Sequence, residues 1–144
     1  MTPIAASTHR RRVPPGFTLV ELIVIIVVLA ILSGVAIPKY IDYTASAKSS
    51  TAKATLGAVR SALTNFFASS CLTGTPAYPT LVQLQTIGTV MQEALPNNPY
   101  NSSGVIGAAV WAAAPPVGGV NGYNYDATVG RFWLNSSTTG ENTW

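Results

Sequence analysis

The chain places one acid where an acid is costly. Between Phe17 and Ile37 every residue except Glu21 is uncharged and most are apolar. At about 1.5 Å per residue this run reaches roughly 30 Å, the thickness of one hydrocarbon core, so it reads as a membrane-spanning helix. A carboxylate deep in such a layer costs about 3 kcal/mol. Glu21 can avoid that cost in two ways. It can sit at headgroup level near the start of the span, or it can meet a positive charge. Gly16-Phe17, directly upstream, offers a source for such a charge: cleavage between them would create an α-amino group on Phe17, and a buried acid is tolerable beside one.

Other side chains capable of chemistry are sparse. The sole histidine, His9, precedes the apolar run, so a chain cut after Gly16 holds no imidazole for a general base, a triad or a zinc site. Cys71 is the sole cysteine and cannot form an intrachain disulfide. At the end of a helix it reads as a buried free thiol, with pairing between molecules as the alternative. After Glu93 the only acids are Asp126 and Glu141, too few for Ca²⁺, which takes about six to eight oxygens with several carboxylates. Asn101-Ser-Ser and Asn135-Ser-Ser match the glycosylation sequon, a pattern that recurs by chance in a chain rich in Asn and Ser. No catalytic residue, cofactor or metal site is expected.

Charge and composition point the same way. Only 9% of residues are charged, against about a quarter in ordinary soluble domains. The formal net charge is +3, from eight basic and five acidic side chains. Three of the eight are Arg10, Arg11 and Arg12, and loss of the segment before Phe17 leaves a formally neutral chain. Lys39, Lys48, Lys53 and Arg60 are strung along one expected helix without interleaved aromatic residues, so a nucleic-acid partner is not expected.

The elements that must carry these residues follow from periodicity. Residues 1–16 form a basic leader with His9-Arg10-Arg11-Arg12 held on the cytoplasmic side, and residues 17–38 form the transmembrane helix, oriented N-in and C-out. Residues 39–144 form one soluble domain. Within it an amphipathic helix runs over 39–70, with Ile41, Ala45, Ala52, Leu56, Val59, Leu63, Phe66 and Phe67 on a core-facing stripe. Gly34 and Pro38 interrupt the long helix and predict a kink or local melt. A connector and a second helix fill 71–95, the helix spanning Thr80 to Ala94 with Thr80 as N-cap. Pro96-Asn97-Asn98-Pro99-Tyr100 then turns the chain. Strands are expected within 105–134, at Val105 to Ala112, Tyr123 to Tyr125 and Arg131 to Leu134, the last two forming an antiparallel hairpin around Ala127-Thr128-Val129. Tyr123, Tyr125, Phe132 and Trp133 would pack across the strands and against the helix. Residues 135–144 read as a tail, mobile from Ser136 to Trp144.

The string Gly16-Phe17-Thr18-Leu19-Val20-Glu21-Leu22, followed at once by the apolar run, resembles the N-terminus of type IV pilin-like proteins, the class that includes pilins and the pseudopilins of type II secretion. The resemblance implies an α+β pilin-like fold: a long N-terminal α-helix, its first half transmembrane, packed on a small C-terminal antiparallel sheet. It implies that a prepilin peptidase cuts after Gly16 and methylates the new amine of Phe17, and that Glu21 meets the amine of a neighbouring subunit during assembly. The implied partners are the membrane, the peptidase, an inner-membrane assembly platform, and further copies or other pilin-like subunits in a filament. The implied location is the bacterial inner membrane, single-pass, with the C-terminal domain extracytoplasmic. The chain departs from the many pilins that close a C-terminal loop with a disulfide. That departure, the short domain and the Pro-Asn-Asn-Pro-Tyr turn favour a type II secretion-type pseudopilin over an adhesive, motility or DNA-uptake pilin.

Two other readings stay open at this stage. One is an ordinary secretory signal with Arg10 to Arg12 as its basic region, Leu22 to Leu32 as its apolar core and Gly34-Val35-Ala36 as the cleavage site, giving a mature chain that begins at Ile37. The other is a secreted or membrane-tethered binding module that never polymerises, which would need a pocket in the Val105 to Trp133 region.

Overall fold

A computed structural model describes residues 16–144 of the chain. The expected leader up to Pro15, including His9 and Arg10 to Arg12, lies outside the described residues. Helix α1 spans Leu19–Leu72, a 54-residue element containing Pro38, and α2 spans Leu81–Gln85. Strands β1 (Ile106–Ala108), β2 (Tyr123–Asp126) and β3 (Arg131–Leu134) follow, then a one-turn 3-10 helix at Glu141–Thr143. This is an α+β, pilin-like arrangement. The chain divides into two compact units, one ending at Ile41 and the other comprising Asp42–Trp144.

In the first unit the apolar side chains of α1 pack on nothing among the described residues. None of its most apolar stretch is buried within the chain, and Leu19, Ile25 and Ile31 are 73%, 45% and 67% exposed. A helix that is apolar all round and unburied by its own chain fits a lipid or helix-packed environment. The helix continues through Gly34 and Pro38, where Pro38 has no N–H to donate to the Gly34 carbonyl.

The second unit has a core built on the later turns of α1. Ala52, Leu56, Val59 and Leu63 are buried, and they form one cluster with Leu84, Ile106, Tyr123, Tyr125, Phe132 and Leu134. The core-facing stripe therefore begins later than expected: Ile41 and Ala45 are exposed, while Phe66 and Phe67 are half-buried. Thr55 joins the buried face because its hydroxyl returns to the Thr51 carbonyl at 3.0 Å, which lets a polar side chain enter an apolar seam.

The sheet has order β1-β2-β3. β2 and β3 form the expected antiparallel hairpin, with Tyr123 opposite Leu134 and Asp126 opposite Arg131. Its loop is residues 127–130 and includes Gly130, whose φ of 65° supplies the left-handed turn. β1 pairs with β2 in parallel, so the sheet is mixed rather than wholly antiparallel. The long connection over 109–122 allows this, since a parallel neighbour needs a return crossing that a tight turn cannot provide. β1 is also shorter than the expected Val105 to Ala112. The Trp111 N–H donates to Asp126 Oδ2 at 2.8 Å, and Pro115 and Pro116 then hold the chain out of the ladder.

Three further expectations are corrected. The second helix stops at Gln85 rather than Ala94: Gly88 at φ 87° turns the chain so that its N–H meets the Met91 carbonyl at 2.7 Å. The start is as expected, with Thr80 capping and Gln83 closing a reciprocal box at 2.8 Å to the Thr80 N–H. Cys71 is exposed rather than buried, because it lies in the last turn of α1, beyond the reach of the core. The segment from Ser136 to Trp144 is docked, not free. Glu141 is fully buried, Asn142 donates to the Pro115 carbonyl at 2.8 Å, and the Trp144 ring lies 4.5 Å from Lys53 Nζ and edge-on to Tyr100.

Both faces of the sheet are covered. Tyr123, Tyr125, Phe132 and Leu134 face the helix cluster, whereas Asn124 and Trp133, paired in register, face the 109–121 loop. Trp133 is thus not helix-facing as expected. Its indole N–H donates to the Pro116 carbonyl at 2.9 Å, and its ring meets Trp111 edge-on at 5.3 Å.

Candidate functional site

At the N-terminal end of α1, Gly16 and Phe17 precede the helix and are exposed, Phe17 at 82%. A Cβ at Gly16 would meet nothing within 4 Å among the described residues. Thr18 and Glu21 form a reciprocal cap. Glu21 Oε2 accepts from the Thr18 N–H at 2.8 Å and from the Thr18 hydroxyl at 2.9 Å, while the Glu21 N–H donates to Thr18 Oγ1 at 3.2 Å. This capping box answers two of the N–H groups that a helix start leaves open, and it sets a negative charge at the positive end of the helix dipole. Both contacts use Oε2, so Oε1 has no protein partner among the described residues. The sequence signal for this box, Thr followed three residues on by Glu ahead of an apolar run, is present in Thr18-Leu-Val-Glu21 and escaped the reading above.

The other candidate residues serve the fold. Asp126 Oδ1 accepts from the Thr128 N–H at 2.9 Å and its Oδ2 from Trp111. The Thr128 hydroxyl and the Trp111 N–H hold its carboxyl below the usual range. Glu141 accepts from the Thr138 N–H at 3.0 Å, the Thr139 N–H at 2.6 Å and the Thr139 hydroxyl at 3.0 Å. Burial pushes its pKa up, but these donors outweigh burial and the net direction is down. Among the described residues no three His, Cys, Asp or Glu side chains converge. Asn135, in one sequon, is buried, and its amide donates to the carbonyls of Gly118 at 2.7 Å and Asn121 at 2.8 Å. Asn101, in the other, spends its amide on Asn121 and Asn135 carbonyls.

A structural hub that sequence reading missed is Asn98. It is fully buried, donates to the Gly122 carbonyl at 2.8 Å and accepts from the Tyr100 N–H at 3.0 Å. It ties the Pro-Asn-Asn-Pro-Tyr turn to the start of β2. The hydroxyls of Tyr123 and Tyr125 donate to the carbonyls of Pro96 and Pro79 at 2.9 and 2.7 Å. Burial, first, and the nearby Asp126 charge push the Tyr125 phenol up to about 12.

Comparison with known proteins bears on the same N-terminal segment. Residues 15–37 match the family model described as the prokaryotic N-terminal methylation motif. The chain is 47% identical over 47 residues to the type IV narrow pilus major component of Thermus thermophilus, covering 33% of this chain and 40% of that protein. It is 42% identical over 52 residues to the type IV major pilin of Myxococcus xanthus, covering 36% and 24%. It is 44% identical over 52 residues to a type IV major pilin of Neisseria gonorrhoeae, covering 36% and 31%. The matches thus span less than half the length of these relatives. No solved structure matches the chain significantly. A long apolar helix, a small C-terminal sheet and this motif together make the chain similar to type IV pilin-like proteins, and residues 15–37 carry the N-terminal methylation motif.

Proposed function

We propose that this chain is a structural subunit of a type IV pilus-like filament, made as a single-pass inner-membrane precursor and assembled through its N-terminal helix. On this reading a prepilin peptidase cuts between Gly16 and Phe17 and methylates the Phe17 amine. Glu21 then meets the amine of a neighbouring subunit, and an inner-membrane platform adds subunits one at a time. The observation that carries the reading is the cap geometry on an unburied apolar helix. Glu21 is fixed by Thr18 through one oxygen while the other has no partner among the described residues, and Gly16-Phe17 is exposed at the same helix end. In water-free surroundings an unpaired buried charge penalises every register in which carboxylate and amine fail to meet, so the pair sets the stagger of the helices. Gly34 and Pro38 are the places where the helix would extend or bend as copies pack. The mechanism is assembly, and no step in it is catalytic.

Within this class Cys71 without a partner and the Pro96 to Tyr100 turn favour a type II secretion-type pseudopilin, whereas the relatives matched over a third of the chain are named as pilus components. Deleting the chain's gene separates the two by phenotype: loss of an exported protein from the medium for a pseudopilin, loss of surface pili for a pilin.

Mass spectrometry of the membrane-extracted protein is the direct test of processing. It should show an N-methylated Phe17 terminus, and Gly16→Val should accumulate full-length precursor, because a β-branched side chain obstructs close backbone approach in a peptidase site. Glu21→Ala should insert and be cleaved yet lose most shear-released filaments, since each neighbour's amine forfeits about 3 to 5 kcal/mol of buried pairing. A mature terminus at Ile37, or a normal filament yield from Glu21→Ala, would overturn the reading.

A further inference from the structure

The Asp42–Trp144 unit contains four cations, Lys48, Lys53, Arg60 and Arg131, and four acids, Asp42, Glu93, Asp126 and Glu141. Among the described residues none of these forms an ion pair with another. Asp126 and Glu141 are spent on the chain's own N–H and hydroxyl donors. Arg60 bonds only carbonyls, from Nε and Nη2 to Phe132 at 3.3 and 3.1 Å and from Nη2 to Trp144. Arg131 lies over the Trp111 ring at 5.3 Å. Both arginines line one cleft of about 290 Å³ between α1 and the β2–β3 turn, with Thr64, Tyr78 and Val129 on its walls. Burial, and the Arg131 charge after it, work against the Arg60 cation. Both side chains reach solvent, so the cleft presents two guanidinium groups to an anion from outside.

The arginine cleft lies at the β3 edge. At the opposite, β1, edge is an apolar groove of about 210 Å³ lined by Leu84, Ile87, Met91, Leu95 and Ile106, with Glu93 on its rim. Its apolar rim is unusually bare, with Ile87 62% and Val105 56% exposed, and across the sheet Val129 beside Arg131 is 48% exposed. Acid and groove at one edge complement cations and an apolar knob at the other.

We propose that the β3 edge of one copy docks on the β1 edge of the next, with Glu93 entering the Arg60–Arg131 cleft and Val129 covering the apolar groove. The contact joins two different patches, so it is heterologous and propagates along a row instead of closing a symmetric dimer. It rests on the filament reading and adds the contact between soluble domains that the N-terminal helix does not provide. Apolar surface flanks the pair, and the match of charge at each edge fixes the register.

The test uses full-length chains assembled into filaments, with Arg60 left intact because its carbonyl bonds belong to the fold. Glu93→Arg should lower filament mass by about fivefold or more, since like charges across an interface are strongly unfavourable, and Arg131→Glu should act in the same direction. The double variant should recover to within about threefold of the unaltered chain. In a Cys71→Ser background, Glu93→Cys with Val129→Cys should give an oxidised ladder running past dimer, whereas either cysteine alone should not. The cysteine pair leaves both arginines unaltered and covers the case in which a charge reversal harms folding. If the unaltered chain forms filaments but the reversals polymerise normally, or if the paired cysteines give no ladder, this interface is wrong. If the unaltered chain forms no filaments at all, it is the filament reading that fails.

Discussion

Glu21 carries two separable duties, and the Thr18 hydroxyl distinguishes them. As the third helical residue it closes the cap, and as a carboxylate it offers a charge to a neighbour. Glutamine at this position can still serve a capping box but brings no charge, so Glu21→Gln should give a filament yield between the unaltered chain and Glu21→Ala. Thr18→Val removes the capping hydroxyl and keeps the acid, which should cost about 1 kcal/mol of local helix stability. It should leave filament yield closer to the unaltered chain than Glu21→Ala does. Equal losses in the two would assign the effect of Glu21 to the cap. A second prediction at this scale concerns acid. The carboxyls of Asp126 and Glu141 are both held below their ordinary values of 3.8 and 4.5. The unfolded chain therefore binds protons that the folded one refuses, and stability falls as pH drops below about 4.5 through the lower folded values. Glu141→Gln should flatten that acid limb in thermal melts while lowering stability at pH 7 by about 1 to 3 kcal/mol, because buried N–H groups lose a charged acceptor.

Helix α1 is one element with two environments, and the change in its exposure along the chain is the change in what it packs on. Before Ile41 every face is bare, whereas Ala52, Thr55, Leu56, Val59 and Leu63 form a buried seam. The C-terminal segment is the element least like its sequence. Lys53 and Arg60, two turns apart on one face of α1, hold the ring and carbonyl of Trp144, and the buried Glu141 fixes the turn before it. Trp144→Ala removes the ring contacts with Lys53 and Tyr100 and should destabilise the unit by about 1 to 3 kcal/mol, read as a lowered midpoint in chemical denaturation. Gly130→Ala should cost more than its change in size suggests. The residue adopts φ 65°, and a Cβ there would lie 2.3 Å from the Tyr78 ring, which is stacked on Phe67 at 4.6 Å. Proteolysis of the β2–β3 turn should report this loosening first, since local opening concentrates where contacts are lost.

At the scale of the molecule, the two units differ in what holds them. Asp42–Trp144 has its own core, hydrogen-bonded turns and covered sheet, while the helix before it has only its backbone ladder and whatever surrounds it. A chain beginning at Asp42 should therefore be soluble without detergent, unfold cooperatively and remain unsedimentable at concentrations where the full-length protein forms filaments. Loss of cooperative unfolding in that fragment would show that the second unit draws stability from the first. Filaments held by the proposed charge contact between domains should in addition loosen as salt rises, because a partly exposed pair is screened over about 10 Å at 0.1 M.

What the sequence determined by itself was everything local. A continuous apolar run, the Gly16-Phe17 and Glu21 spacing, the Thr80 cap, the extent of α1 and the Tyr123 to Leu134 hairpin are each written within a few residues, where spacing and backbone preference decide the outcome. Only the tertiary structure decided the parallel place of β1, the covering of Trp133 by the 109–121 loop, the burial of Asn98 and Glu141, and the docking of Trp144 on α1. These depend on partners separated by tens of residues: a polar side chain such as Glu141 reads as solvent-exposed until the N–H groups of Thr138 and Thr139 are turned towards it. The shortened α2 lies between the two cases, since Gly88 was visible and the turn it makes is local, yet the apolar spacing of Ile87, Val90 and Met91 argued for helix. Val90 and Met91 pack from a loop onto the core while Ile87 stays exposed, so tertiary contact and not periodicity places them.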